Sequence, residues 1–332
     1  MSRKNSMKET YRIGLVGVGQ LGSRYLQGLA KTSLEIEIEV VEPQASAKKT
    51  AQERFEQIET GKSKKLTFLD SIDGLSEQLD IVIISTNSDV RASIVRELLQ
   101  KKTVGALVLE KVLFQKIRDY QEIEDLLVRK NVKAWVNHAS RASPFYMQLK
   151  KLLKGSEHID LNVMGGGWGM ACNSLHFIDT FSFLTDNKDL SLSIVNLSPR
   201  ILDAKRAGFK EVTGLLCGRL GENNFSIHCL ESISPLSITI CSENVAVRVD
   251  EGNGVYEIAE KAKGWDWQRH QEKIVYFQSE TTNLLVEDIL LNDKCDLPTY
   301  RDAKDLHVPF VTALLEHMNK YSSVKFESCP IT

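Results

Sequence analysis

The 332-residue sequence has no uninterrupted apolar run approaching the roughly eighteen residues of a membrane-spanning helix. Its start, MSRKNSMKET, has no apolar stretch after the basic residues and does not read as an export signal. Charge of one sign is also missing. The 42 Lys and Arg balance 44 Asp and Glu to a formal net charge of −2, which offers nothing to nucleic acid or an anionic membrane. The six cysteines (Cys172, Cys217, Cys229, Cys241, Cys295, Cys329) contain no Cys-x-x-Cys pair, and the histidines are scattered, so no metal site is expected. With no export signal the thiols are expected to be reduced and the protein cytoplasmic. There is no repeat and no low-complexity linker. The composition that remains, 42% hydrophobic and 26% charged, is that of a globular protein long enough for two domains.

Tyr11 to Val16 is an apolar run with the character of a buried strand, and it leads directly into Gly17-Val18-Gly19-Gln20-Leu21-Gly22. Helical spacing follows, with Leu21, Tyr25, Leu26 and Leu29 on one side. A strand, a glycine turn and a helix in that order suit a dinucleotide. Gly17 permits the tight turn, Gly19 lets backbone approach a pyrophosphate, and Gly22 allows close helix–strand packing. Gln20 and Leu21 place their backbone at the positive end of the helix. A second strand, Leu34 to Val41, ends in Glu42, and an acidic residue about twenty positions past the turn is the expected acceptor for ribose hydroxyls. A carboxylate there repels a 2′-phosphate, and no arginine occupies positions 43–46, so NAD is favoured over NADP; Lys48 and Lys49 soften that preference.

Strand and helix patterns alternate from residue 11 to about 136, predicting a Rossmann-type doubly wound parallel sheet over residues 1–137. Its strand ends carry Thr86 and Asn87, Glu110 and Lys111, and Asn137, the side of such a sheet where ligands sit. The basic stretch from Lys62 to Lys65 reads as a solvated run. From residue 138 onward the pattern changes. Helices are predicted over Pro144 to Leu153 and Asn173 to Leu184, with several alternating stretches after them, the last at Lys273 to Phe277, and two terminal helices. Residues 138–332 are therefore expected to form an α+β domain on a large, mostly antiparallel sheet with helices on one face, used for substrate binding and oligomerisation. The uncovered face is expected to be apolar and buried in a homodimer or homotetramer.

Glu110-Lys111-Val112 and the run Cys172-Asn173-Ser174-Leu175-His176-Phe177-Ile178-Asp179 resemble the motifs of the Gfo/Idh/MocA family of NAD(P)-dependent oxidoreductases. That family reads Glu-Lys-Pro at the first and Asp-x-x-x-His followed by Ile-Asp at the second. The resemblance implies that Lys111 lies beside nicotinamide and substrate hydroxyl and that His176 is carried over, while Cys172 stands where the family has an acid. Thr86-Asn87-Ser88 is similar to the family's Thr-Pro-Asn, and Asn137 to Pro144 to a strand end that brings an arginine, here Arg141, near substrate.

Oxidising a secondary alcohol needs a hydride acceptor and a base for the hydroxyl proton. His176 titrates near neutrality, and Lys111 can polarise the oxygen or share the proton. Asp179 either orients the imidazole or holds a backbone group. Arg141 is either an anchor for a substrate carboxylate or phosphate or half of an interdomain salt bridge. Asn173 can hydrogen-bond substrate but cannot take a proton. The expected function is an NAD-dependent dehydrogenase or reductase of a sugar, sugar derivative or nucleotide sugar. The alternative is a dinucleotide-binding sensor without turnover, suggested by Cys172.

Overall fold

The computed structural model describes residues 8–59 and 64–332; the lead-in 1–7 and positions 62–63 of the basic run lie outside them. Two compact units emerge, one of Met1–Leu113, Gln121–Ala139 and Phe277–Tyr300, the other of Phe114–Tyr120, Ser140–Tyr276 and Arg301–Thr332. A boundary between residues 137 and 138 separates the two large sheets, but the segment Phe277–Tyr300 packs with the first unit.

In the first unit β1 (Tyr11–Val16), α1 (Gly22–Ala30), β2 (Ile36–Val41), α2 (Ala45–Glu56), β3 (Lys64–Leu69), β4 (Gln78–Ile84), α3 (Ser88–Lys101), β5 (Thr103–Glu110), α4 (Ile117–Lys130) and β6 (Lys133–Asn137) alternate along the chain. The six strands pair in parallel in the order β3-β2-β1-β4-β5-β6, the doubly wound Rossmann sheet expected. Its strands are continuous hydrophobic runs because both faces are covered. Ile13, Leu15, Ile38, Val40, Ile81 and Ile83 are completely buried.

The second unit contains α5 (Pro144–Leu153), β7 (Ile159–Gly166), α6 (Met170–Thr185), β8 (Leu190–Leu197), β9 (Leu202–Asp203), β10 (Lys210–Glu211), β11 (Gly214–Leu220), β12 (Asn223–Leu230), β13 (Ser234–Ser242), β14 (Val245–Asp250), β15 (Val255–Glu260) and β16 (Gln268–Gln271). Its eight-stranded sheet runs β16-β15-β14-β13-β7-β12-β11-β8, antiparallel except where β12 lies parallel to β7. The inner face buries Leu161, Val163, Phe225, Ile227, Ile238 and Ile240. Phe181 of α6 meets Phe225 edge-on at 6.2 Å.

Three expectations need correction. Lys273 to Phe277 is not a strand. Ile274 is buried, but its carbonyl accepts from the Ser143 hydroxyl (2.7 Å) rather than from a ladder, and the edge strand is the exposed polar β16 just before it. The uncovered sheet face is also less apolar than expected. One row across it reads Ile194, Cys217, Ser226, Asn162, Thr239, Arg248, Glu257 and Arg269, with Ser226 donating to Asn162 (2.6 Å). Finally, α7 (Gln278–Asn292) belongs to the first unit, whereas almost all of α8 (Tyr300–Tyr321) belongs to the second. Gly28 of α1 admits α7 so closely that a Cβ there would stand 2.6 Å from the Gln278 carbonyl, and Glu287 of α7 accepts from Thr32 (2.7 Å).

Candidate functional site

The glycine turn is built without side-chain space where it must be tight and with space where a ligand would approach. Gly17 has φ +85°, which favours glycine. A Cβ on Gly22 would lie 2.0 Å from the Gly17 carbonyl oxygen, whereas one on Gly19 would meet nothing within 4 Å. The first turn of α1 has no acidic residue, and Leu21, at its N-cap, supplies no side-chain cap. The end of this helix therefore keeps its positive dipole for an anion.

Side chains from three other elements fix the turn. Ser85 donates to the Gly17 carbonyl (2.6 Å), and Glu42, buried at the end of β2, accepts from Val18 N–H (3.0 Å) and Gln44 N–H (3.0 Å). The expected ribose acceptor is thus also a brace for the turn. Arg54 of α2 donates to the Gln20 carbonyl (3.2 Å) and to the Ser23 hydroxyl, closing one side of a small cavity lined by Gly19, Gln20, Ser46 and Thr50. The Thr86 hydroxyl oxygen is buried with no hydrogen-bond partner.

At the ends of β5 and β6, Glu110 and Asn137 come together, and the buried Glu110 carboxylate accepts from Asn137 Nδ2 (2.7 Å) and from the Tyr25 hydroxyl. Burial, reinforced by that carboxylate, pushes the Tyr25 hydroxyl well above its ordinary value and keeps it a donor. Glu110 therefore ties α1 to the strand end from which half-buried Lys111 follows. Asn87 is the N-cap of α3. Tyr25 could be read from the sequence only as an apolar position; its role as a donor carries no local signal.

The remaining candidates lie in the second unit. His176 and Asn173 are half-buried on α6, the Asn173 amide donating to the Trp168 carbonyl (2.7 Å). Glu211, not singled out by the sequence, takes the N-terminus of this helix, accepting from Ala171 N–H (2.7 Å) and Cys172 N–H (3.2 Å). The Cys172 thiol donates to the Thr332 carbonyl (2.6 Å), within a tail anchored by buried Cys329 and Ile331. Arg141 and Asp179 meet in a two-point ion pair, Nε to Oδ2 at 2.8 Å and Nη2 to Oδ1 at 2.7 Å, wholly inside this unit and so not interdomain.

Residues 11–138 match the family described as an oxidoreductase family with an NAD-binding Rossmann fold, Gfo/Idh/MocA. The match spans the six parallel strands of the first unit. Members of that family are NAD(P)-binding Rossmann oxidoreductases. No curated protein matches the sequence significantly. Among solved structures, a super-repressor mutant of Gal80p from Saccharomyces cerevisiae is similar with a TM-score of 0.71 at 14% identity, over 96% of this chain and 98% of that one. UDP-N-acetylglucosamine 3-dehydrogenase from Acidithiobacillus ferrooxidans gives 0.67 at 14% identity, over 94% and 99%. A Gfo/Idh/MocA family oxidoreductase from Vibrio cholerae gives 0.66 at 15% identity, over 93% and 98%. At these identities the likeness establishes the fold. No helix among the described residues is long and apolar enough to cross a membrane.

Proposed function

We propose that the protein is a cytoplasmic NAD-dependent oxidoreductase acting on a secondary alcohol or ketone of a sugar, sugar derivative or nucleotide sugar. The observation that carries this is the open surface at Gly19 above an uncapped α1 N-terminus, with Glu42 fixed beside it. Such a cradle fits a pyrophosphate, and Gly17, Gly19, Gln20, Leu21, Gly22, Glu42, Thr86, Asn87, Glu110 and Lys111 are the residues that would hold the dinucleotide. When bound, NAD supplies the hydride acceptor or donor. Glu42 favours NAD over NADP because its carboxylate disfavours a 2′-phosphate.

Lys111 Nζ would polarise the substrate oxygen, and the His176 imidazole would take or return its proton. Asn137 and Asn173 would be polar substrate contacts. Arg141 and Asp179, already closed on each other, would chiefly hold the chain around α6 in place. Self-association through the uncovered sheet face is part of the proposal, held by polar cross-strand groups and the exposed Met164 and Ile194. Titration with NADH and NADPH by nicotinamide fluorescence, followed by a turnover panel of sugars and nucleotide sugars, tests the reading. Tighter binding of NADH and turnover of at least one panel member are expected.

A second reading is a dinucleotide-binding regulator without turnover. It is favoured by Cys172 in place of the family acid, with its thiol engaged by Thr332, and by the likeness to Gal80p. Dinucleotide binding with no turnover across the panel is the result that would select it.

A further inference from the structure

We propose that Arg91 is a positioning residue for Lys111, holding the loop that carries the lysine against the loop that carries Thr86. Arg91 sits on α3 and is 1% exposed, among the largest fully buried side chains of the protein. Its Nη1 donates to the carbonyls of Val112 and Leu113 (2.9 Å to the latter), and its Nη2 donates to the carbonyl of Thr86. Thr86 lies just past β4, and Val112 and Leu113 immediately follow Lys111 just past β5. These strands are neighbours, with Ile84 opposite Leu109. A single guanidinium thus spans the two loops that leave adjacent strand ends.

Burying a guanidinium is costly unless its donors are satisfied, because the group stays charged at any working pH. A packed apolar side chain would commonly be as stabilising at such a site, so a retained buried charge invites a role in specifying geometry. The planar fork suits this, since its donors leave in fixed directions and reach carbonyls of two separate segments at once. Lys111 gains most from the arrangement. Its four-carbon stem is flexible, so the reach of Nζ depends on where the backbone is held. Val112 and Leu113 are fully buried and keep the loop folded in their own right, leaving Arg91 to set its position relative to Thr86.

The inference rests on Lys111 serving the proposed hydride transfer, but its first readout does not. Labelling of Lys111 by an amine-selective acylating reagent, followed by mass spectrometry with Lys48 as internal reference, is compared in wild type, Arg91→Lys and Arg91→Met. The Lys111 rate relative to Lys48 should change at least threefold in Arg91→Met and less in Arg91→Lys, with the NADH Kd within about threefold of wild type. In turnover assays kcat should fall about tenfold in Arg91→Lys and about a hundredfold in Arg91→Met with KM for NAD little changed, the scale expected of a group displaced by about 1 Å. Should Arg91→Met fail to fold, Arg91→Lys decides on both readouts. Unchanged Lys111 labelling in a folded variant, or a loss confined to KM for NAD, would overturn the proposal. A wild type that binds NADH without turnover would defeat the enzymatic reading alone, and the labelling comparison would still decide the role of Arg91.

Discussion

Arg141 and Asp179 neutralise each other inside the second unit, guanidinium Nε and Nη2 against the two carboxylate oxygens at 2.8 and 2.7 Å, with Asp179 fully buried. Burial pushes the Asp179 carboxyl up and Arg141 pulls it back down. Removing one partner strands the other. Arg141→Met should destabilise the protein by about 3–5 kcal/mol in urea unfolding, and the double variant Arg141→Met with Asp179→Asn should recover part of that loss. Additive losses would mean that the pair is not coupled.

Gly19 and Gly22 separate binding from folding. A Cβ at position 22 would press on the Gly17 carbonyl at 2.0 Å, so Gly22→Ala should lower stability by a few kcal/mol, the scale of overpacking. Gly19→Ala has nothing to clash with in the protein itself. It should melt like wild type while weakening NADH binding about tenfold or more. Equal effects of the two on Tm would contradict the assignment of Gly19 to ligand approach.

Cys172 stands where the Gfo/Idh/MocA pattern has an acid, and its thiol is engaged by the Thr332 carbonyl. A serine can make the same donation, so Cys172→Ser should change kcat less than about threefold. Lys111→Ala and His176→Ala should each lower turnover about a hundredfold or more, the usual scale for losing an acid–base group. If Cys172→Ser is as inactive as Lys111→Ala while still binding NADH, the thiol has a chemical role.

Glu251 accepts from the buried Tyr146 hydroxyl at 2.5 Å, and burial raises its pKa despite that bond. The folded state therefore holds the proton to higher pH than the unfolded chain does, and stability falls as pH rises from about 4.3 through the raised folded value. Glu251→Gln keeps an acceptor for Tyr146 and removes the titration. It should raise Tm at pH 7 by about 2 °C or more and flatten the decline above pH 4.3. A variant whose stability curve matches wild type over that range would show that Glu251 does not titrate differently on folding.

The Rossmann half was legible because strand, glycine turn and helix are each written locally, in apolar runs, in Gly17 to Gly22 and in 3.6-residue spacing. Groups brought together from distant segments were not legible. Tyr25 on Glu110, Arg91 on Val112, Glu211 on the start of α6 and the tail on Cys172 are contacts between residues far apart in the chain, and no local pattern announces them. The error at Lys273 to Phe277 has the same origin. One buried isoleucine in an extended segment looks like a strand residue, while the true edge strand, Gln268–Gln271, is polar throughout and reads as a loop. The return of α7 to α1 was equally hidden, since its helical spacing fits packing on either unit.

The surface around Gly19 and Glu42 is proposed to receive a nicotinamide dinucleotide. Fluorescence titration of the purified protein with NADH, with Gly19→Ala as control, tests it most directly. Saturable binding by wild type is expected, tighter for NADH than for NADPH and weakened about tenfold in the folded Gly19→Ala variant. Failure of folded wild type to bind any of NAD, NADH, NADP or NADPH at millimolar concentration would contradict it.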